Sequence, residues 1–187
     1  LYNKAVDLYG NQPERAVQLS SEAFEIAKVL KDSIRIVQAL NLKGVSTMIL
    51  GDYEQSLNTH QKALRINKII RFDKGTINSL INIGNILFQS RNADESLKYY
   101  KEALELANET NSKASKSKIL NNLGSIYRTR YSNLGRKEDL DQAQLYLNEA
   151  YAMKLADGDS ISILTTGTIL ADLAIIEGDM EKADQLL

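Results

Sequence analysis

Two runs of side chains carry recognition chemistry. Asn78, Asn82, Asn85 and Gln89 stand at i, i+4, i+7 and i+11, and forty residues later Lys118, Asn122, Ser125 and Thr129 repeat that spacing, with Asn121 and Arg128 alongside. On a helix, positions so spaced share one face. A carboxamide both donates and accepts, so a row of them can pair with the N–H and C=O groups of an extended peptide whatever its sequence. Lys118 and Arg128 add attraction for an acidic residue or a terminal carboxylate. Forty residues before this ladder the character changes: beside Asn41 stand Leu42, Val45, Met48 and Ile49. Such a patch suits a hydrophobic anchor of a ligand, and it equally suits core packing between helices. The ladder has its own plain alternative, a solvated helix face in an Asn-rich chain.

Catalytic chemistry finds little to work with. The 187 residues contain no Cys and one His, His60, so a thiol nucleophile and a His/Cys zinc site are excluded. No G-x-x-x-x-G-K-[ST], G-x-G-x-x-G or G-x-S-x-G occurs, and His60 sits inside a repeated helical pattern where a packed residue is expected rather than a general base. No catalytic residue, metal site or cofactor is therefore expected. Lys and Arg number 23 against 24 Asp and Glu, a net charge of -1, which gives no bulk reason to seek nucleic acid or an anionic membrane. No stretch approaches the roughly 18 to 20 uninterrupted apolar residues of a membrane span. With 43% hydrophobic residues the chain can still bury a core.

The elements that must position these residues are set by an internal repeat. Four segments align without gaps: 12–26 (QPERAVQLSSEAFEI), 52–66 (DYEQSLNTHQKALRI), 92–106 (NADESLKYYKEALEL) and 139–153 (DLDQAQLYLNEAYAM). Each has a small residue followed seven positions on by Ala, as in Ala16/Ala23, Ser56/Ala63, Ser96/Ala103 and Ala143/Ala150, and a fifth copy opens at Asp179. Between them lies a second helical pattern containing Gly44, Gly84 and Gly124 at intervals of 40, with Ala171 in the same slot after 47. Leu80, Ile83, Gly84 and Leu87 fall at i, i+3, i+4 and i+7, one face of a helix. A glycine inside a helix costs roughly 1 kcal/mol relative to Ala, so its recurrence predicts a close helix crossing over that slot. Asp32, Asp52, Asp73, Asn92, Asp159 and Asp179 are expected N-caps, and Pro13 a first-turn proline. The pattern predicts nine or ten helices in pairs near 1–30, 33–70, 73–110, 113–155 and 159–187, and no strands.

These slots resemble the tetratricopeptide repeats (TPR), whose first helix carries a Leu-Gly pair and whose second carries Ala and an aromatic residue. Leu80-x-x-Ile83-Gly84-x-x-Leu87 with Ser96-x-x-x-Tyr100 fits, as does Leu120-x-x-Leu123-Gly124-x-x-Tyr127 with Ala143-x-x-x-Leu147. Departures are His60 and Ser20 in the aromatic slot, Lys43 and Lys4 in the Leu and Gly slots, and the missing repeat-ending Pro. The 40-residue period is similar to that of kinesin light chains, Rap-type peptide-sensing regulators and the sensor halves of bacterial signalling proteins. The resemblance implies an all-α solenoid of helix-turn-helix pairs, a right-handed superhelix of about four and a half repeats. It also implies that the first helices line a concave trough, and that an Asn just before the Leu-Gly pair, here Asn82 and Asn122, reads a peptide backbone.

The expected function is thus a non-catalytic protein- or peptide-binding scaffold, its ligand a helical or extended segment. The expected contacts are Asn41, Val45, Met48, Asn78, Asn82, Asn85, Gln89, Lys118, Asn121, Asn122, Ser125 and Arg128. No nucleic acid and no membrane is expected as partner. Two alternatives stand beside it: a sensor or regulatory module of a bacterial signalling protein, and a spacer that self-associates through end faces at residues 1–8 and 183–187. The unfinished helical patterns at both ends read as a piece of a longer chain, and the expected compartment is cytoplasmic. One irregularity stands out. Gly124 and Ala143 are 19 residues apart where Gly84 and Ser96 are 12 apart, so 131–141 holds a seven-residue insertion, either a longer helix and loop in solvent or a specificity loop.

Overall fold

The computed structural model describes residues 1–186. Ten helices account for nearly all of them: α1 (Tyr2–Leu8), α2 (Pro13–Val29), α3 (Ser33–Ile49), α4 (Tyr53–Ile69), α5 (Asp73–Gln89), α6 (Ala93–Glu109), α7 (Lys113–Leu134), α8 (Lys137–Asp157), α9 (Ser160–Glu177) and α10 (Met180–Leu186). No strand occurs among the described residues. By packing the chain divides into two compact units, Leu1–Ala103 and Leu104 onward, with the boundary inside α6.

Helix starts follow the capping chemistry of the sequence. Asp32, Asp52, Asp159 and Asp179 accept a hydrogen bond from the backbone N–H three residues on, at 3.0–3.2 Å, and Pro13 opens α2. Asn92 trades bonds with Glu95, side chain to side chain at 2.8 Å and N–H to side chain at 3.4 Å. The expectation for Asp73 is corrected: it is the first residue of α5, and Phe72 holds the cap position without a side-chain bond. Its carboxylate stands instead in the first turn, where the helix dipole favours it.

The early turns share one closing motif. After α2, the N–H of Asp32 reaches back to the carbonyl of Ala27 and that of Lys31 to Lys28, both at 3.0 Å, the bonding of a Schellman cap. The left-handed residue this requires is Gly51 after α3 (φ 82), but elsewhere it is Lys31, Arg71, Arg91 and Asn111, with φ of 52 to 61. The turns after α7, α8 and α9 use Gly135, Gly158 and Gly178.

The predicted close crossings are present within each unit. A methyl placed on Gly84 would stand 2.9 Å from the Tyr100 ring, and one on Gly124 would stand 2.4 Å from Leu147 Cγ. The hydroxyls of Ser56 and Ser96 donate to the carbonyls of Gly44 and Gly84, each at 2.7 Å, so the same bond ties two successive helix pairs. Ala16, Ser56, Ser96 and Ala143 are fully buried, as are Ala63, Ala103 and Ala150. Close packing at these contacts leaves no room for a larger side chain.

The insertion is resolved in favour of longer helices. α7 has 22 residues and α8 has 21, against 17 in each of α2 to α6, and only Gly135 and Arg136 separate them. Ser132 to Glu138 are exposed. α9 comes nearer to a membrane span than its polar residues suggest, being 18 residues long and apolar enough by length and composition, yet a third of it is buried inside the protein. Its Leu170, Ala171, Leu173 and Ala174 are buried, and Ala171 and Ala174 pack with Ala183 of α10, while Ile161, Leu164, Ile175 and Ile176 are exposed.

Candidate functional site

In the first unit, α3 and α5 carry the expected recognition residues. On α3, Val45 and Met48 are half-buried, whereas Leu42 is buried in a cluster with Ala5 and Leu19, so that part of the apolar patch is core. Asn41 is half-buried, and its Oδ1 is enclosed without a hydrogen-bond partner. On α5, Asn78 and Gln89 are exposed and Asn82 is half-buried, and none of the three has a side-chain partner among the described residues. Asn85 differs, because its Oδ1 accepts a bond from the Tyr100 hydroxyl. That carboxamide is tied to the core of the α5–α6 crossing.

The equivalent crossing one repeat earlier shows what happens when this partner is missing. His60 lies over Gly44 as Tyr100 lies over Gly84, but Val45 stands where Asn85 would be. His60 is fully buried and neither ring nitrogen has a partner. Burial disfavours the charged ring and lowers its pKa from 6.5 to about 4, so it packs as a neutral ring.

In the second unit several ladder residues are engaged in holding helices together. Asn121 of α7 accepts at its Oδ1 from the Lys154 ammonium of α8 at 3.0 Å and from the Thr166 hydroxyl of α9 at 2.8 Å. Lys154 also donates to Thr166. Ser125 donates to the Asn121 carbonyl at 2.9 Å, and Arg128 pairs with Asp172 of α9 at 3.4 Å. Asn122 is half-buried and Lys118 exposed. Arg130 reaches the largely buried Asp139 at 3.1 Å and lies 5.9 Å from the centre of the Tyr127 ring, which stacks with Tyr146.

A cavity of about 340 Å³ opens beside this knot, lined by Lys118 and Asn121 of α7, Lys154 and Asp157 of α8, and Asp159 and Ser162 at the start of α9. Burial lowers the Lys154 pKa below the ordinary lysine value, against the raising effect of Asp159. Hydrogen bonds from Ser162, first from its side chain and then from its backbone N–H, hold the Asp159 carboxyl below its usual range. Lys118 and Asn121 are legible from first-helix spacing, whereas Lys154 and Asp157 lie on a second helix and Asp159 and Ser162 at a helix start, outside that spacing. The signal was present: the α8 slot held by Lys154 is held by Ala27, Asn67 and Ala107 in the preceding repeats. Among the described residues no group of three His, Asp or Glu is placed to hold a metal.

A sequence profile of the tetratricopeptide repeat matches residues 35–109 and again 75–156, most of the chain. The chain belongs to the tetratricopeptide repeat family. No curated protein sequence matches it. Among solved structures this TPR chain is similar to BtubC (BKLC) from P. vanneervenii, with 23% identity, a TM-score of 0.80 and coverage of 95% of this chain and 71% of the other. It is similar to aspartyl phosphate phosphatase F from Bacillus subtilis at 18% identity and a TM-score of 0.79, covering 99% of this chain and 56% of that one. It also resembles the Rap conjugation gene regulator of the plasmid pLS20, solved with the Phr* peptide, at 20% identity and a TM-score of 0.77, covering 97% and 48%. At these identities the likeness is one of fold, and the TPR chain spans only about half the length of the last two.

Proposed function

We propose that this TPR chain is a non-catalytic scaffold that binds protein or peptide segments on the exposed faces of its first helices. The observation that carries the reading is the row of carboxamides on α5. Asn78 and Asn82 stand one turn apart with no side-chain partner among the described residues, Asn82 half-buried, so each keeps a donor and an acceptor for a peptide backbone. Val45 and Met48 on α3 supply half-buried apolar contact for an anchoring side chain. In the second unit Lys118, Asn121, Asn122, Ser125 and Arg128 are proposed to act with fewer free groups, because Asn121, Ser125 and Arg128 already hold neighbouring helices or turns. The fold neighbour solved with the Phr* peptide supports a peptide as ligand.

A bacterial regulatory module is the second reading, favoured by that neighbour being a conjugation gene regulator of twice this length. In that reading peptide binding biases the output of an attached domain.

A phage-displayed peptide screen against the chain tests the proposal, run beside Asn78→Ala/Asn82→Ala with helicity checked by circular dichroism. Selected peptides should bind the folded double variant about tenfold more weakly or worse, the loss expected for one or two hydrogen bonds. Equal affinity for both proteins moves the site away from α5, and failure to select any peptide refutes the scaffold reading.

A further inference from the structure

The cavity between α7, α8 and α9 is lined by four formally charged side chains, none of which closes a direct ion pair with another. Lys118 and Lys154 line it together with Asp157 and Asp159. Among the described residues no carboxylate comes within ion-pair distance of either lysine. The same unit closes Lys116 on Glu149 at 2.7 Å, Arg128 on Asp172 at 3.4 Å and Arg130 on Asp139 at 3.1 Å. Two of the four are held by neutral partners. Asn121 and Thr166 fix the Lys154 ammonium. The backbone N–H of Ser162 holds the Asp159 carboxylate at 3.2 Å. An ammonium has three N–H donors, and here two of them meet neutral oxygens, which leaves one donor without a partner and the charge answered only at a distance by Asp159.

The register shows that this arrangement is particular to one repeat. In the slot of Lys154 the second helix pair has Asn67, which is buried, donates to Ser79 at 3.1 Å and fills the space over Gly75. Ser79 and Thr166 are themselves equivalent positions, as are Gly75 and Ser162. Where Asn67 closes a core, Lys154 with its longer stem ends at the edge of an open space. Two positive and two negative charges sum to zero, so a simple anion or cation gains from one pair and loses to the other. A ligand carrying both signs uses all four. The volume lies near the lower limit of small-molecule cavities, roughly 300 Å³, which suits a ligand of few atoms.

We propose that this cavity binds a small zwitterion of the α-amino-acid type, its carboxylate received by Lys154 and Lys118 and its ammonium by Asp157 and Asp159. The arriving carboxylate supplies the acceptor that the third Lys154 donor lacks, and it favours the charged amine that burial disfavours. The site shares Lys118 and Asn121 with the second-unit contacts proposed above but uses none of the α5 carboxamides that carry the peptide reading, and it stands or falls without them.

The test is a titration of the ¹⁵N-labelled chain with L-alanine, N-acetyl-L-alanine, which keeps only the carboxylate, and L-alaninamide, which keeps only the ammonium. L-alanine should give saturable shifts at the amides of Asn121, Lys154, Ser162 and Thr165, with each single-charge analogue about tenfold weaker or worse. Lys154→Met should lose these shifts while its remaining spectrum stays dispersed, since Thr166 still reaches Asn121. Should that variant unfold, Lys118→Ala and Asp157→Asn, both at exposed positions, give the same reading. Absence of saturable shifts with L-alanine, equal binding of either analogue, or binding indifferent to all three substitutions overturns the proposal. None of these results touches the peptide reading, because no peptide is present.

Discussion

At the scale of single residues, the repeat makes each slot a controlled comparison. Tyr100 over Gly84 sends its hydroxyl to Asn85, whereas His60 over Gly44 faces Val45 and has no partner for either nitrogen. A neutral ring packed this way makes stability depend on pH. In the folded chain the His60 pKa is about 4, and unfolded it returns to 6.5, so the unfolded chain binds a proton more tightly. The stability this contributes is complete above pH 6.5 and is lost as pH falls toward 4. Urea unfolding should therefore show stability falling by about 2 kcal/mol from pH 7 to pH 5 through this residue alone. In His60→Phe, which cannot titrate, the fall over that interval should shrink by the same amount. A parallel fall in both proteins would assign the acid sensitivity to other groups. The same comparison explains how the ladder was legible and yet incompletely read. Spacing placed the carboxamides on one helix face, but it held no information that Asn85 is taken by Tyr100 or Asn121 by Lys154 and Thr166, because those partners come from other helices.

At the scale of the element, what the sequence made plain is what depends on local chemistry. Aspartates at 32, 52 and 159 marked starts because a carboxylate can reach the free N–H groups of a first turn, and Asp73 misled because the carboxylate also suits a position inside that turn. Helix ends were harder, since four of the left-handed positions carry Lys31, Arg71, Arg91 and Asn111 instead of glycine. A left-handed α conformation costs an L-residue such as Lys or Arg roughly 1–2 kcal/mol, which the Schellman bonding and neighbouring packing offset. Removing that cost by Arg71→Gly or Arg91→Gly, both exposed, should raise stability by about 0.5–1 kcal/mol after allowing for the greater freedom of glycine in the unfolded chain. Gly51→Ala, at φ 82 with open space around it, should lower stability by about 1 kcal/mol, from backbone strain alone. Thermal melts of the three variants decide it, and a melting point lowered by Arg91→Gly would show that its side chain contributes more than its backbone costs.

At the scale of the whole chain, the governing quantity is the period. Three crossings at 40-residue intervals made the TPR fold legible, because only one kind of helix pair keeps Gly44, Gly84 and Gly124 opposite a packed side chain. The repeat aligns Lys154 with Ala27, Asn67 and Ala107, but that it opens on a cavity was not legible, because the lining is completed by residues of α7 and α9. The inserted length goes into the end of α7 and the start of α8, where Ser132 to Glu138 are exposed. Asp139 is equivalent to Asn92 and Asp52, the cap positions of the regular repeats. Deleting Ser132 to Glu138 thus restores the 40-residue period and leaves Asp139 to start a shortened α8, with Leu140 still in the core. The shortened chain should fold cooperatively, lose ellipticity in proportion to about seven helical residues, and melt within about 5 °C of the parent, because insertions in repeat proteins are carried outside the stacked core. L-alanine binding at Lys154 should be retained, since no cavity-lining residue is removed. An unfolded product would mean that Tyr131, placed in the left-handed turn position of Arg91, or the altered approach of Arg130 to Asp139 costs more than the regular period recovers.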